Sequence, residues 1–112
     1  MFNFFKTSTA AYHNLPAAEF AAGLKKPGAV LLDVRTPAEF AEGHLPGAVN
    51  LDVSSPTFAQ RVSALDKTQP TYVYCRSGAR SATASAQLSG GSFENVFNLL
   101  GGVMSWPEKL VR

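Results

Sequence analysis

The sequence predicts an α/β domain with a mainly parallel central sheet and helices on both faces. Three observations predict it. Segments of strand character alternate with segments of helical character along the chain, as successive crossover units require. One of them, Ala29–Val34 (AVLLDV), is a continuous apolar run of strand length, as suits a strand covered on both sides. Apolar residues make up 46% of the 112 residues and charged residues 16%, a globular balance that disorder would invert.

The elements follow in order. Met1–Ala11 reads as a loosely held arm whose phenylalanines pack on the domain edge. Tyr12–Leu15 is a short edge strand. Pro16–Leu24 is a helix, opened by proline and rich in alanine, with Phe20 and Leu24 on one face. Lys25–Gly28 turns the chain at a Pro-Gly pair. After the strand Ala29–Val34, Thr36-Pro37-Ala38-Glu39 has the form of a capped helix start. Thr36 is the N-cap, Pro37 the first helical residue and Glu39 the reciprocal partner of a capping box. That helix, Pro37–Glu42, ends at Gly43.

A loop, His44–Gly47, leads to a short strand, Ala48–Leu51. Thr57–Ala64 is helical, with Phe58, Val62 and Leu65 at helical spacing. Thr71–Tyr74 (TYVY) is a β-branched and aromatic strand. The loop Cys75–Arg80 separates it from a helix of small residues, Ser81–Leu88. Ser89–Ser92 is a Gly-rich break, Val96–Leu99 the last strand, and Gly101–Gly102 a turn into a short helix, Val103–Lys109. No internal repeat or low-complexity linker marks a boundary, so the sequence reads as one domain, 1–112.

Composition excludes several classes. The net charge of +2 is too weak to argue for nucleic acid or a membrane surface as partner. The single cysteine leaves no internal disulfide. No CxxC pair or Cys/His cluster suggests a metal, and no cofactor is implied. No unbroken apolar run has the length of a secretory signal or a membrane span, so a soluble cytoplasmic protein is expected.

Cys75 stands directly after the TYVY strand and directly before a helix. A short strand-to-helix loop turns successive N–H groups inward as an anion-binding nest, and the helix adds the positive end of its dipole. Arg76 and Arg80 add two charges. All three effects favour thiolate, so Cys75 is expected to titrate below the free value of about 8.5. Gly78 permits backbone angles that a side chain forbids. Ser77 offers a hydroxyl, and Ala79 keeps the rim uncrowded. Such a cysteine can attack an electrophilic sulfur or hold a terminal sulfane sulfur. The plainer reading is an inert cysteine ending a core strand. Two arginines and a glycine beside it argue against that.

The sequence resembles the rhodanese family. Leu32-Asp33-Val34-Arg35, then Glu39-Phe40, then Gly43-His44-Leu45-Pro46-Gly47-Ala48-Val49-Asn50 is similar to the first rhodanese signature. Tyr74-Cys75-Arg76-Ser77-Gly78-Ala79-Arg80-Ser81 is similar to the active-site loop. Asn98-Leu99-Leu100-Gly101-Gly102-Val103, with Trp106, is similar to the closing signature. The motifs keep family order and cover most of the chain. The resemblance implies a rhodanese-like fold, a five-stranded sheet with helices on both sides. It implies a ping-pong thiosulfate sulfurtransferase. On this resemblance Cys75 is expected to be the nucleophile that becomes a persulfide, the backbone of Arg76, Ser77, Gly78, Ala79 and Arg80 to cradle the sulfur, and Arg76 and Arg80 to bind an anionic donor such as thiosulfate. The acceptor is cyanide or a thiol such as glutathione or a thioredoxin-like protein.

Other residues are expected to be structural. Asp33 and Arg35 read as an ion pair before they read as loop-orienting groups. His44 reads as a hydrogen-bonding loop residue, since an ionised thiol needs no base. Glu39 is a capping residue, Trp106 and Phe97 are core or pocket wall, and His13 has no role. Three rival functions remain. A cysteine phosphatase or arsenate reductase shares the thiolate cradle, but its signature places five residues between cysteine and arginine, and here four separate Cys75 from Arg80. An internal-disulfide reductase would also need a second cysteine. A non-catalytic rhodanese-like binding module usually lacks the cysteine. A persulfide carrier serving a protein partner keeps the same chemistry.

Overall fold

The computed structural model describes residues 12–112. The expected arm, Met1–Ala11, lies outside the described residues. Five strands form one sheet in the order β1-β5-β4-β2-β3: β1 Tyr12–Leu15, β2 Val30–Asp33, β3 Val49–Asn50, β4 Thr71–Tyr74 and β5 Val96–Leu99. Every strand pair is parallel, with Leu32 opposite Val73 and Tyr72 opposite Phe97. Parallel pairing sends every carboxyl end to one side of the molecule. β1 matches its expected bounds, β2 and β3 are each one residue shorter at both ends than Ala29–Val34 and Ala48–Leu51, and β1 and β3 occupy the two edges.

The helices are α1 Ala17–Leu24, α2 Pro37–Glu42, α3 Phe58–Val62 and α4 Ala79–Gly90. The capping box of α2 is present: Glu39 N donates to Thr36 Oγ1 at 3.3 Å, and Thr36 N donates to the Glu39 carboxylate at 3.1 Å. Pro16 is the N-cap of α1. Three helices differ from expectation by more than one residue. α3 is shorter than Thr57–Ala64, because its ends are turns with no side-chain cap. α4 starts two residues before Ser81 and runs two past Leu88, through Gly90. The last helix is one 3₁₀ turn, Gly102–Ser105, not Val103–Lys109. Pro107 explains the early stop: the residue before a proline is driven out of the helical region, and Trp106 sits at φ −78°, ψ 120°.

Burial divides along the two faces of the sheet. One cluster gathers Leu32, Val34, Val73 and Val96 with Phe58 and Val62 of α3 and Ala84 and Leu88 of α4. The other gathers Leu31, Tyr72, Tyr74 and Leu99 with Phe20 of α1, and Trp106 packs against it. Adjacent strand residues thus serve opposite cores, which is why the central strands read as unbroken apolar runs. No helix among the described residues is long and apolar enough to cross a membrane.

Candidate active site

Alternation along β4 decides where Cys75 points. Tyr72 and Tyr74 face the α1 side, while Val73 and Cys75 face α3 and α4. Cys75 therefore leaves the strand directed beneath the first turn of α4, with only 1% of its surface exposed.

That first turn has no side-chain cap, because Gly78 occupies the N-cap position. The cysteine sulfur takes the role. Gly78 N donates to Sγ at 3.1 Å and Ser81 N at 3.4 Å. Ser81 Oγ is also 3.4 Å from Sγ, and 3.2 Å from the Gly78 carbonyl, so its proton has two acceptors. Ser81 is the third residue of α4, one of the positions whose N–H has no partner within a helix. Burial pushes the Cys75 thiol up. Hydrogen bonds from the Ser81 hydroxyl and from the N–H groups of Ser81, Gly78 and Ser77 outweigh it, and the pKa falls below the ordinary thiol value. The expected direction is found, but its leading causes are hydrogen bonds rather than the arginine charges.

The turn after β5 holds the loop from behind. Val103 N donates to the Cys75 carbonyl at 3.0 Å, and Met104 N to the Arg76 carbonyl at 3.2 Å. Gly102 has φ +58°, and a Cβ there would overlap both carbonyls. At Gly78 a Cβ would only touch the Gly101 nitrogen and the Leu99 carbonyl, at 3.4 and 3.5 Å, so there it is the φ of +105° that calls for glycine. Two separate sequence signatures are thus one object: the closing glycines are the floor of the cysteine loop.

The remaining loop residues differ in setting. Arg76, Ser77 and Ala79 are exposed on the rim. Arg80 instead places Nη1 and Nη2 on the Glu39 carboxylate of α2, at 2.8 and 2.9 Å. Glu39 consequently titrates at about 2, chiefly through its hydrogen bond with Arg80. The sequence signals only the capping role of Glu39. The pair spans 41 positions, and no local spacing announces it.

Behind the loop, Asp33 and Arg35 form a buried ion pair, with Arg35 Nη2 2.7 Å from Asp33 Oδ2. The same nitrogen donates to the Gly43 carbonyl at 2.6 Å, which anchors the end of α2. Tyr74 Oη accepts from Leu45 N at 3.0 Å. His44 stacks on Phe40, its Nδ1 3.0 Å from the Phe40 carbonyl. His13 stacks on Phe97 at the edge of the sheet. A cavity of about 180 Å³ between α3 and α4, lined by Val62, Lys67, Leu88 and Phe93 among others, contains none of these residues.

Sequence comparison places this geometry among known proteins. The family model for the rhodanese-like domain matches residues 16–109. The chain is 40% identical over 88 residues to a thiosulfate sulfurtransferase GlpE of Pseudomonas entomophila, covering 79% of each chain. It is 42% identical over 77 residues to a sulfurtransferase of Allochromatium vinosum, covering 69% of this chain and 70% of that one. Its fold superposes on a rhodanese-related protein of Thermoplasma volcanium with a TM-score of 0.78 at 28% identity, over 89% of this chain and 98% of the other. A family match across nearly all the described residues agrees with a cysteine that caps the helix after its own strand, and the chain belongs to the rhodanese-like sulfurtransferase family.

Proposed function

We propose that this protein is a thiosulfate sulfurtransferase that works through a Cys75 persulfide. The observation that carries the reading is the set of three donors, Gly78 N, Ser81 N and Ser81 Oγ, converging on Sγ within 3.4 Å. They favour the thiolate, which is the attacking form. The thiolate attacks the outer sulfur of thiosulfate. A new S–S bond forms at Cys75, the S–S bond of the donor breaks, and sulfite leaves with the electron pair. The second half-reaction reverses the roles. Cyanide or a thiolate attacks the outer persulfide sulfur, and the Cys75 thiolate leaves. No net proton is needed from a side chain, so His44 has no step. Gly78 N and Ser81 N stabilise negative charge in both half-reactions. Exposed Arg76 suits the dianionic donor, while Arg80, paired with Glu39, adds only a reduced field.

Steady-state kinetics with thiosulfate and cyanide test the proposal. Double-reciprocal lines at several cyanide concentrations should be parallel, and Cys75→Ala should abolish thiocyanate formation. Intersecting lines, or turnover by Cys75→Ala, would contradict it. Hydrolysis of an aryl phosphate by the wild type, with no thiocyanate formed, would favour the phosphatase alternative. Slow turnover with cyanide but rapid transfer to thioredoxin would identify a carrier that serves a protein thiol. The cytoplasm is the compartment we propose, where a reduced thiol pool would keep Cys75 free.

A further inference from the structure

Arg80 sits two residues into the helix whose first turn holds the sulfur, yet its two terminal nitrogens are committed to Glu39. The carboxylate is itself fixed. Glu39 Oε1 accepts from Thr36 N and Thr36 Oγ1, both at 3.1 Å, so the capping box of α2 holds the acid while Arg80 comes to it. The pair is neither buried nor free, with 37% of the Arg80 side chain and 29% of the Glu39 side chain exposed. A guanidinium so engaged presents much less net charge to an incoming anion than its formal +1.

We infer that Glu39 is a positioning residue that sets donor specificity, by neutralising most of the Arg80 charge at the mouth of the Cys75 loop. The electrostatic reach supports it. The ionised forms of Glu39, Cys75 and Asp52 all favour the charge on Arg80, Glu39 foremost. Arg80 thus feels Glu39 from α2, Cys75 from the loop and Asp52 from the segment after β3. Among the described residues Arg76 of the loop makes no ion pair, and with the Arg80 charge offset the site holds a dianionic donor without retaining the sulfite that leaves. Removing the Glu39 charge would add a second cation, tightening donor binding and favouring the thiolate. The part of this inference that concerns the donor rests on the thiosulfate reading above; the part that concerns the thiolate does not.

Glu39→Gln, Arg80→Gln and the double variant separate charge from structure. Gln keeps the hydrogen bond to Thr36 and is itself a capping-box residue, so the helix start is retained. Both single changes break the same ion pair. A merely structural tie would therefore move both variants in the same direction. The charge account requires opposite directions. In Glu39→Gln the Cys75 pKa, followed by thiolate absorbance, should fall, and KM for thiosulfate should fall on the order of two- to fivefold, the worth of one partly screened charge. In Arg80→Gln both should rise, and the double variant should lie between. Same-direction shifts, or none, would overturn the inference. If thiosulfate fails to load the wild type, the donor reading falls, and the thiolate titration alone decides the role of Glu39.

Discussion

A cysteine sulfur serving as a helix cap is the smallest unit of this site. Side-chain caps usually come from Ser, Thr, Asp or Asn at the N-cap itself. Here that position is Gly78, and the acceptor arrives from three residues upstream. The arrangement couples stability to reactivity, since the donors that cap α4 are those that favour the thiolate. Ser81 contributes two of the three contacts. Ser81→Ala keeps the N–H bond and removes the hydroxyl. It should raise the Cys75 pKa and slow alkylation by iodoacetamide severalfold at neutral pH, with alkylation at high pH little changed. An unchanged pH–rate profile would show that the hydroxyl proton belongs to the Gly78 carbonyl instead. The sequence announced Cys75 through its strand and its arginines. It placed Ser81 at the end of the loop motif without a role, although a hydroxyl six residues on, at the third helical position, is a readable signal once the start of α4 is known.

Elements meet at this site through backbone as much as through side chains. The 3₁₀ turn after β5 binds the Cys75 and Arg76 carbonyls, and Gly102 makes the approach possible. Gly102→Ala should therefore cost more than left-handed strain of ~1 kcal/mol or more, because its Cβ would collide with those carbonyls. Gly47→Ala is the control: its φ is +84°, but a Cβ there meets nothing within 4 Å. Urea unfolding should show the larger loss for Gly102→Ala, together with reduced sulfur transfer. Equal losses would mean that the turn does not press on the loop. The Glu39–Arg80 tie joins α2 to α4 and has a pH signature. The Glu39 carboxyl titrates at about 2 in the folded protein, below its ordinary 4.5. Its stabilisation is present above about pH 4.5 and disappears as pH falls through 2. Acid unfolding of Glu39→Gln should lack that component; a profile identical to wild type would contradict the tie. Element identities were legible because the alternation of apolar runs with capped, alanine-rich segments is a local property. The start of α4 was not, because its cap is a sulfur held by tertiary packing, nor was the Arg80–Glu39 pair, which spans two signatures.

At the scale of the whole molecule, parallel pairing assembles the site. β2, β4 and β5 deliver Asp33, Cys75 and the Gly101–Gly102 turn to the same end of the sheet. The five-stranded architecture was readable from the alternation together with the family resemblance, whereas strand order is set by tertiary pairing and had no local sign. The Asp33–Arg35 pair shows what that assembly demands. Asp33 is fully buried and the Arg35 side chain 7% exposed, so each charge has the other as its compensating partner. Asp33→Ala should cost about 3–5 kcal/mol by stranding a buried guanidinium, read as a lower urea midpoint. A loss below about 1 kcal/mol would show that Arg35 escapes to solvent, as exposed pairs allow.

The central claim is that Cys75 carries the transferred sulfur. The direct measurement is the intact mass of the protein after incubation with thiosulfate and removal of the excess, without reductant. A gain of one sulfur atom, reversed by cyanide or dithiothreitol and absent in Cys75→Ala, is the predicted result. An unchanged mass with Cys75 still open to alkylation would contradict thiosulfate as the donor. An unchanged mass with Cys75 unreactive would contradict the persulfide mechanism itself.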